Sequence, residues 1–301
     1  MQGREGVRPV TDADGLIGAL DVGGTHVSAG LVDLRSAAVE PGSRVRLPLP
    51  ANGSRDELVA RLVRAARAVA GGQLRLAVAV PGPFDYKAGV SLITHKLGSL
   101  CGVDLRSELC AALDLPEPTA VRFLNDADAF ALGEWWAGAA RGHDRTVGVT
   151  LGTGLGSAFA DCGRLVHDGP RVPPGGELYR LRFRGAPVEE TISRGALLAR
   201  YGDASVDVDE LAVRARAGEP RARLVLEELG VALAELLTPW LGRFEATSLV
   251  VGGSIARSWD VFGTRVRVGL ESVDTLRAVD AAEHLDDAPL LGAALVASRD
   301  P

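Results

Sequence analysis

Cysteine is scarce in this chain: Cys101, Cys110 and Cys162 are the only three, with no CxxC spacing among them. That excludes a disulfide framework and a cysteine-based zinc site, and it fits reduced thiols in the cytoplasm. Lysine is scarcer still, with only Lys87 and Lys96 among 33 basic residues. Arginine supplies the rest, a bias that GC-rich coding accounts for. Acid outweighs base, giving a formal net charge of -6, so the basic footprint of a nucleic-acid binder is missing. No apolar run reaches 18 residues, and no membrane span is expected. The polar stretch 1–15 lacks an apolar signal core and reads as a flexible leader.

What is present is the composition of an ordinary globular protein, 47% hydrophobic and 24% charged over 301 residues, enough for two domains. The first strand is read at Leu16 to Val22. A Gly-Gly-Thr turn follows, and Val27 to Val32 continues as a second strand, so the unit is a hairpin and not a strand–turn–helix. Ser54 caps a helix that opens with Asp56 and Glu57 and places Leu58, Val59, Leu62, Val63 and Ala66 at helical spacing. Strands are read at Leu74 to Val80 and Val121 to Leu124, and a helix at Ala127 to Ala140. Thr146 to Leu151 runs into Gly152-Thr153-Gly154-Leu155-Gly156, and Ser157 to Asp161 resumes as a strand.

This second strand–glycine turn–strand unit suggests an internal duplication. Val208 to about Arg243 is helical, interrupted at Pro220. Ser248 to Val251 is a strand, and Pro289 to Ala297 is a small-residue helix able to pack closely on a sheet. The alternation makes an α/β protein. Domain boundaries are expected at 16–120 and 121–286, with the C-terminal helix, about 287–301, returning to the first domain.

Four motifs carry chemistry. In Asp21-Val22-Gly23-Gly24-Thr25, the glycines let backbone approach a phosphate, Thr25 and the turn N–H groups donate to its oxygens, and Asp21 orients a hydrated Mg²⁺. A plain tight hairpin reads the same way. Gly152, Thr153 and Gly154 repeat the chemistry, and two such turns together make a clamp for a triphosphate. Asn125-Asp126, between a strand and a helix, offers Asp126 as the base for a hydroxyl proton and Asn125 as a hydroxyl partner; an ordinary helix N-cap is the bland alternative. Gly252, Gly253 and Ser254 follow a strand and suit an adenosine lying flat on backbone, or a simple turn.

The order and spacing of these motifs resemble the ROK (repressor, open reading frame, kinase) family over residues 16–297. Also similar are Ala79-Val80-Pro81-Gly82-Pro83, Gly102-Val103-Asp104-Leu105, Ala131-Leu132-Gly133-Glu134 and Leu291-Gly292-Ala293-Ala294. The resemblance implies a two-domain actin-like ATPase (ribonuclease H-like) fold with duplicated mixed sheets. It implies a cleft that binds ATP, Mg²⁺ and a sugar or cyclitol, and a homodimer with no nucleic-acid or membrane partner. It makes Asp126 the catalytic base. Gly82, Asn125, Glu177 of the pair Gly176-Glu177, and Glu189 of Val188-Glu189-Glu190-Thr191-Ile192-Ser193 become substrate contacts.

The sequence departs from the family in two places. Three positions after Glu177 the family has a histidine that binds sugar and a structural zinc; here stands Arg180. Glu189 follows Glu177 by only 12 positions with no cysteine between, so the zinc loop is read as deleted and no zinc is expected. Arg180, with Arg182 and Arg184 behind it, is a candidate substrate contact or a solvated face. Thr94-His95-Lys96-Leu97-Gly98 replaces an Asn-Leu-Pro-Gly-Trp type of segment beside the sugar, so His95 and Lys96 reshape the pocket. His26 either approaches phosphate or faces solvent. These changes widen the acceptor class to a modified hexose, hexosamine or C7-cyclitol. The rival reading is a non-catalytic sugar sensor or pseudokinase. Against a repressor, the first strand begins at residue 16 and leaves no room for a helix-turn-helix.

Overall fold

Two sheets built on one plan organise the chain in the computed structural model, which describes residues 15–70, 75–94, 96–115 and 118–299. In the first sheet Leu16–Val22 and His26–Asp33 form an antiparallel hairpin with Val22 opposite Val27. Leu76–Val80 then pairs parallel with Leu16–Val22, and Val121–Asn125 parallel with Leu76–Val80. The short strands Ala38–Val39 and Val45–Pro48 both pair with His26–Asp33. In the second sheet Arg145–Leu151 and Leu155–Asp161 form the hairpin. Ser248–Gly252 pairs parallel with Arg145–Leu151, Ala278–Ala281 parallel with Ser248–Gly252, and Arg164–Leu165 extends the other edge.

The chain divides into two compact units, 1–137 with 286–301, and 138–285. The boundary read from sequence, between 120 and 121, falls too early. Val121–Asn125 is hydrogen-bonded into the first sheet, and the helix behind it, Asp126–Ala137, packs on Ala288–Ser298 of the same unit. The leader lies outside the described residues, apart from Gly15.

Strand alternation builds the first unit's two cores. Leu20, Val22, Val78 and Val80 face one way, onto Leu58, Leu62, Ala65 and Ala66 of the helix Arg55–Val69, whose first turn is capped by Ser54 accepting from the Glu57 N–H at 3.2 Å. Ile17, Ala19, Ala77 and Ala79 face the other way, onto Leu290, Leu291, Ala293, Ala294 and Ala297 of the C-terminal helix. Small side chains on both surfaces bring that helix close to the sheet. Where it crosses Asp126–Ala137, a methyl group on Gly133 would run into the Ala288 carbonyl, and one on Gly292 into the Ala129 carbonyl.

The second unit's core gathers Val147, Val149, Phe159, Leu249 and Val251 against the long helix Pro220–Phe244. That helix and Val208–Arg216 are separated at 217–219, and Pro220 is the first helical residue, not an interruption. Leu226, Leu229, Leu233, Leu237 and Leu241 of the long helix are fully enclosed, so this stretch is core, with Leu224 exposed on its outer side. Among the described residues no helix is long and apolar enough to cross a membrane.

Candidate active site

In the first unit three neighbouring parallel strands end on one edge of the sheet. Asp21 pairs in register with Ala79, and Val80 with Asn125. The carboxyl ends therefore deliver Asp21, the Pro81-Gly82 turn and Asn125-Asp126 side by side, where open α/β sheets bind ligands. The Gly23–Thr25 turn closes with the Gly23 N–H donating to the His26 carbonyl at 2.8 Å. Thr25 is exposed, its hydroxyl 3.0 Å from Nδ1 of His26.

Asp21 and Asp126 keep only part of their surface in contact with solvent. Enclosure pushes the Asp21 carboxyl up to about 7, and the nearby charges of Asp126 and Asp286 add to this while Arg46 opposes it. Asp126 is likewise raised, chiefly by desolvation and also by Asp128; hydrogen bonds from backbone N–H groups and the charge of Lys96 pull the other way. A raised, half-shielded carboxylate at a strand end is a better proton acceptor than a solvated one, which makes this sheet edge the candidate site.

Asn125 serves two readings at once. Its Oδ1 accepts from the Ala127 N–H at 2.9 Å, capping the helix, while its amide donates to the Tyr86 hydroxyl at 3.1 Å. Tyr86 in turn reaches the Val80 carbonyl at 3.3 Å and lies beside Gly82, where an added Cβ would sit 3.5 Å from its hydroxyl. Sequence reasoning passed over Tyr86. It sits outside every motif, and its only signal is the nearby Pro81-Gly82-Pro83. His95 lies outside the described residues.

The second unit presents its own edge. Arg145–Leu151 and Ser248–Gly252 are parallel and adjacent, with Thr150 opposite Gly252. Gly152-Thr153-Gly154 and Gly252-Gly253-Ser254 therefore meet, and the Ser254 hydroxyl lies 3.7 Å from where a Gly152 Cβ would be. The half-buried Glu189 joins them: its Oε1 accepts from the Leu155 N–H at 2.9 Å, against Gly154. Glu189, expected from sequence as a substrate contact, is thus tied to the glycine hairpin.

Glu177 stands on a segment moored by Ser157, whose hydroxyl donates to the Gly176 carbonyl at 2.7 Å and accepts from the Leu178 N–H at 2.9 Å. Its carboxylate pairs with Arg180. The short stretch before Glu189 folds as a small hairpin, Arg182–Phe183 with Ala186–Pro187, and buries Phe183. Arg182 binds the Gly185 carbonyl, and Arg184 covers the Phe183 ring and pairs with Glu235. Of the three arginines, Arg180 alone touches a candidate site residue among the described residues. Among the described residues no three His, Cys, Asp or Glu side chains converge as a metal-ion cage.

Comparison with known proteins gives the family and the fold. An N-acetyl-D-glucosamine kinase of Pectobacterium atrosepticum is 30% identical over 310 residues, spanning 93% of this chain and 98% of its own. A glucokinase of Thermotoga maritima is 28% identical over 314 residues, spanning 93% and 96%. The crystal structure of a ROK hexokinase from Thermus thermophilus matches with a TM-score of 0.73 and 26% identity, across 93% of this chain and 97% of that one. The duplicated sheets are thus those of the two-domain actin-like fold. The ROK family model matches residues 17–178 and 182–300, pausing only across the segment that holds Arg180, and the chain belongs to the ROK family.

Proposed function

We propose that the protein transfers the γ-phosphoryl group of ATP to a hydroxyl of a hexose or a hexose-like polyol. It is a sugar kinase, as its named relatives are. The observation that supports this best is the placement of two raised carboxylates, Asp21 and Asp126, at the ends of parallel strands on one sheet edge, one strand apart, with the Gly23–Thr25 turn following Asp21. One suits a cation and phosphate, the other a hydroxyl proton.

The acceptor hydroxyl lies against Asp126, and Asn125 and Gly82 line its sugar. As the hydroxyl oxygen attacks phosphorus, its proton passes to the Asp126 carboxylate. In the second unit Glu177 and Glu189 suit sugar hydroxyls, each of which both donates and accepts. In the first unit the Gly23–Thr25 turn suits a phosphate; in the second unit the Gly152–Gly154 turn suits a phosphate as well, and Gly252, Gly253 and Ser254 suit an adenosine lying on backbone. Asp21 fits a hydrated Mg²⁺: enclosure chiefly, with the nearby charges of Asp126 and Asp286, raises its carboxyl to about 7, and a divalent cation would favour its ionised form. When bound, that ion supplies positive charge to the phosphate oxygens.

Arg180 at the position of the family histidine shifts preference away from plain glucose toward an amino sugar, a modified hexose or a cyclitol. The test is incubation of the protein with Mg·ATP and each candidate acceptor, followed by mass spectrometry of the sugar. Phosphorylation of one acceptor is expected. A sugar that binds tightly but never gains a phosphoryl group, with no nucleotide bound, would instead establish the sensor reading.

A further inference from the structure

We propose that Lys96 is a catalytic residue whose ammonium binds the γ-phosphoryl group as it moves from the Gly23–Thr25 turn to the acceptor at Asp126. This rests on the kinase reading above. Lys96 lies across the turn: a Cβ built on Gly24 would stand 2.9 Å from Lys96 Cδ and 3.6 Å from Nζ. Any side chain at position 24 would therefore push the lysine away. The backbone of Lys96 is left-handed, with φ 46°, a conformation that costs a lysine energy. Buried Leu97 and Leu100 follow it and anchor the segment. The aliphatic stem is laid over glycine, and the exposed amine makes no hydrogen bond or ion pair among the described residues.

The amine is also close enough to Asp126 for its charge to favour that carboxylate's ionised form. Donor phosphates at the turn and an acceptor hydroxyl at Asp126 leave the transferred group between them, alongside this cation. Its stem and amine lie against Gly24 of the phosphate turn, so phosphate is its ligand before sugar. In the step, the acceptor O–P bond forms and the bond from phosphorus to the bridging oxygen breaks. The electron pair leaves on ADP, and the acceptor proton goes to Asp126. A fixed cation there offsets charge on the equatorial oxygens.

The test compares binding of Mg·ADP and of the non-hydrolysable imido analogue of ATP by calorimetry, in wild type, Lys96→Met and Lys96→Arg. The analogue carries the γ-phosphoryl group and ADP does not. Lys96→Met is expected to weaken the analogue by roughly 10-fold or more while ADP binding is kept, which also shows the variant to be folded. Lys96→Arg restores most of the difference. In turnover, Lys96→Met lowers kcat by about 10²–10³. An unchanged ratio of analogue to ADP affinity, including equal loss of both, overturns the role. Wild-type protein that binds neither nucleotide overturns the kinase reading and this role with it.

Discussion

The side-chain amide of Asn125 donates to the Tyr86 hydroxyl at 3.1 Å, while its oxygen caps the following helix at the Ala127 N–H, 2.9 Å away. Both ends of the amide are therefore fixed, and one N–H remains for an acceptor hydroxyl. Tyr86→Phe removes one neutral hydrogen bond from this chain. KM for the acceptor should rise by about 3–10-fold, while KM for ATP stays near its wild-type value. Equal change in both constants would show that Tyr86 does not act through Asn125.

Asp21 makes stability and nucleotide binding depend on pH in opposite senses. In the ligand-free folded chain its carboxyl keeps a proton up to about 7, against an ordinary value of 3.8. Between those values the folded state binds more protons than the unfolded one, so this contribution falls as pH rises through that window and is flat above it. Asp21→Asn removes the effect. The variant should melt a few degrees above wild type at pH 8, and the gap should close toward pH 4. Mg·ATP favours the ionised carboxylate, so its KM should fall in wild type as pH rises through 7. A thermal-shift and kinetic pH series on both proteins checks the pair, and a wild type that melts higher than Asp21→Asn at pH 8 contradicts it.

Gly133 and Gly292 allow two helices to touch backbone to backbone. The clashes that a side chain would make are with carbonyl groups and cannot be relieved by a rotamer change. Gly292→Val should cost about 3 kcal/mol or more in urea unfolding, at or above the usual range for overpacking. Because the helix Asp126–Ala137 begins at the candidate base, residual folded protein should also lose turnover. A loss of stability under about 1 kcal/mol would mean that the crossing is looser than described.

Much of this was legible in the sequence because it is local. The caps, the glycine hairpins and the strand ends at Asp21 and Asn125 each follow from residues within one turn of the site. The helix Ala288–Ser298 announced close packing by its small residues. What was not legible depends on pairing across long separations. Nothing near residue 121 tells that Val121–Asn125 hydrogen-bonds to Leu76–Val80, and so the domain boundary was placed too early. Tyr86 gains its place only when the strand ends Val80 and Asn125 are brought together. Glu189 was read from its motif as a sugar contact, yet its tie to the Leu155 N–H arises from a contact 34 residues apart in sequence.

Arg180 and Glu177 form an ion pair on which specificity is expected to turn. The arginine side chain is 59% exposed and the glutamate 28%, so the pair adds little to stability. Arg180→Ala should leave the melting temperature nearly unchanged while altering the ratio of kcat/KM between acceptors. Ratios identical to wild type across a hexose, a hexosamine and a cyclitol would place Arg180 outside recognition.

The most direct test of the central claim is ADP release by wild type and Asp126→Asn, coupled to an optical readout, against a panel of hexoses, hexosamines and cyclitols. One acceptor should raise ADP release in wild type well above the rate without sugar, and Asp126→Asn should lower kcat for that acceptor by roughly 10²–10⁴. Near-normal turnover in Asp126→Asn, or a wild-type rate that no acceptor raises, would contradict the account.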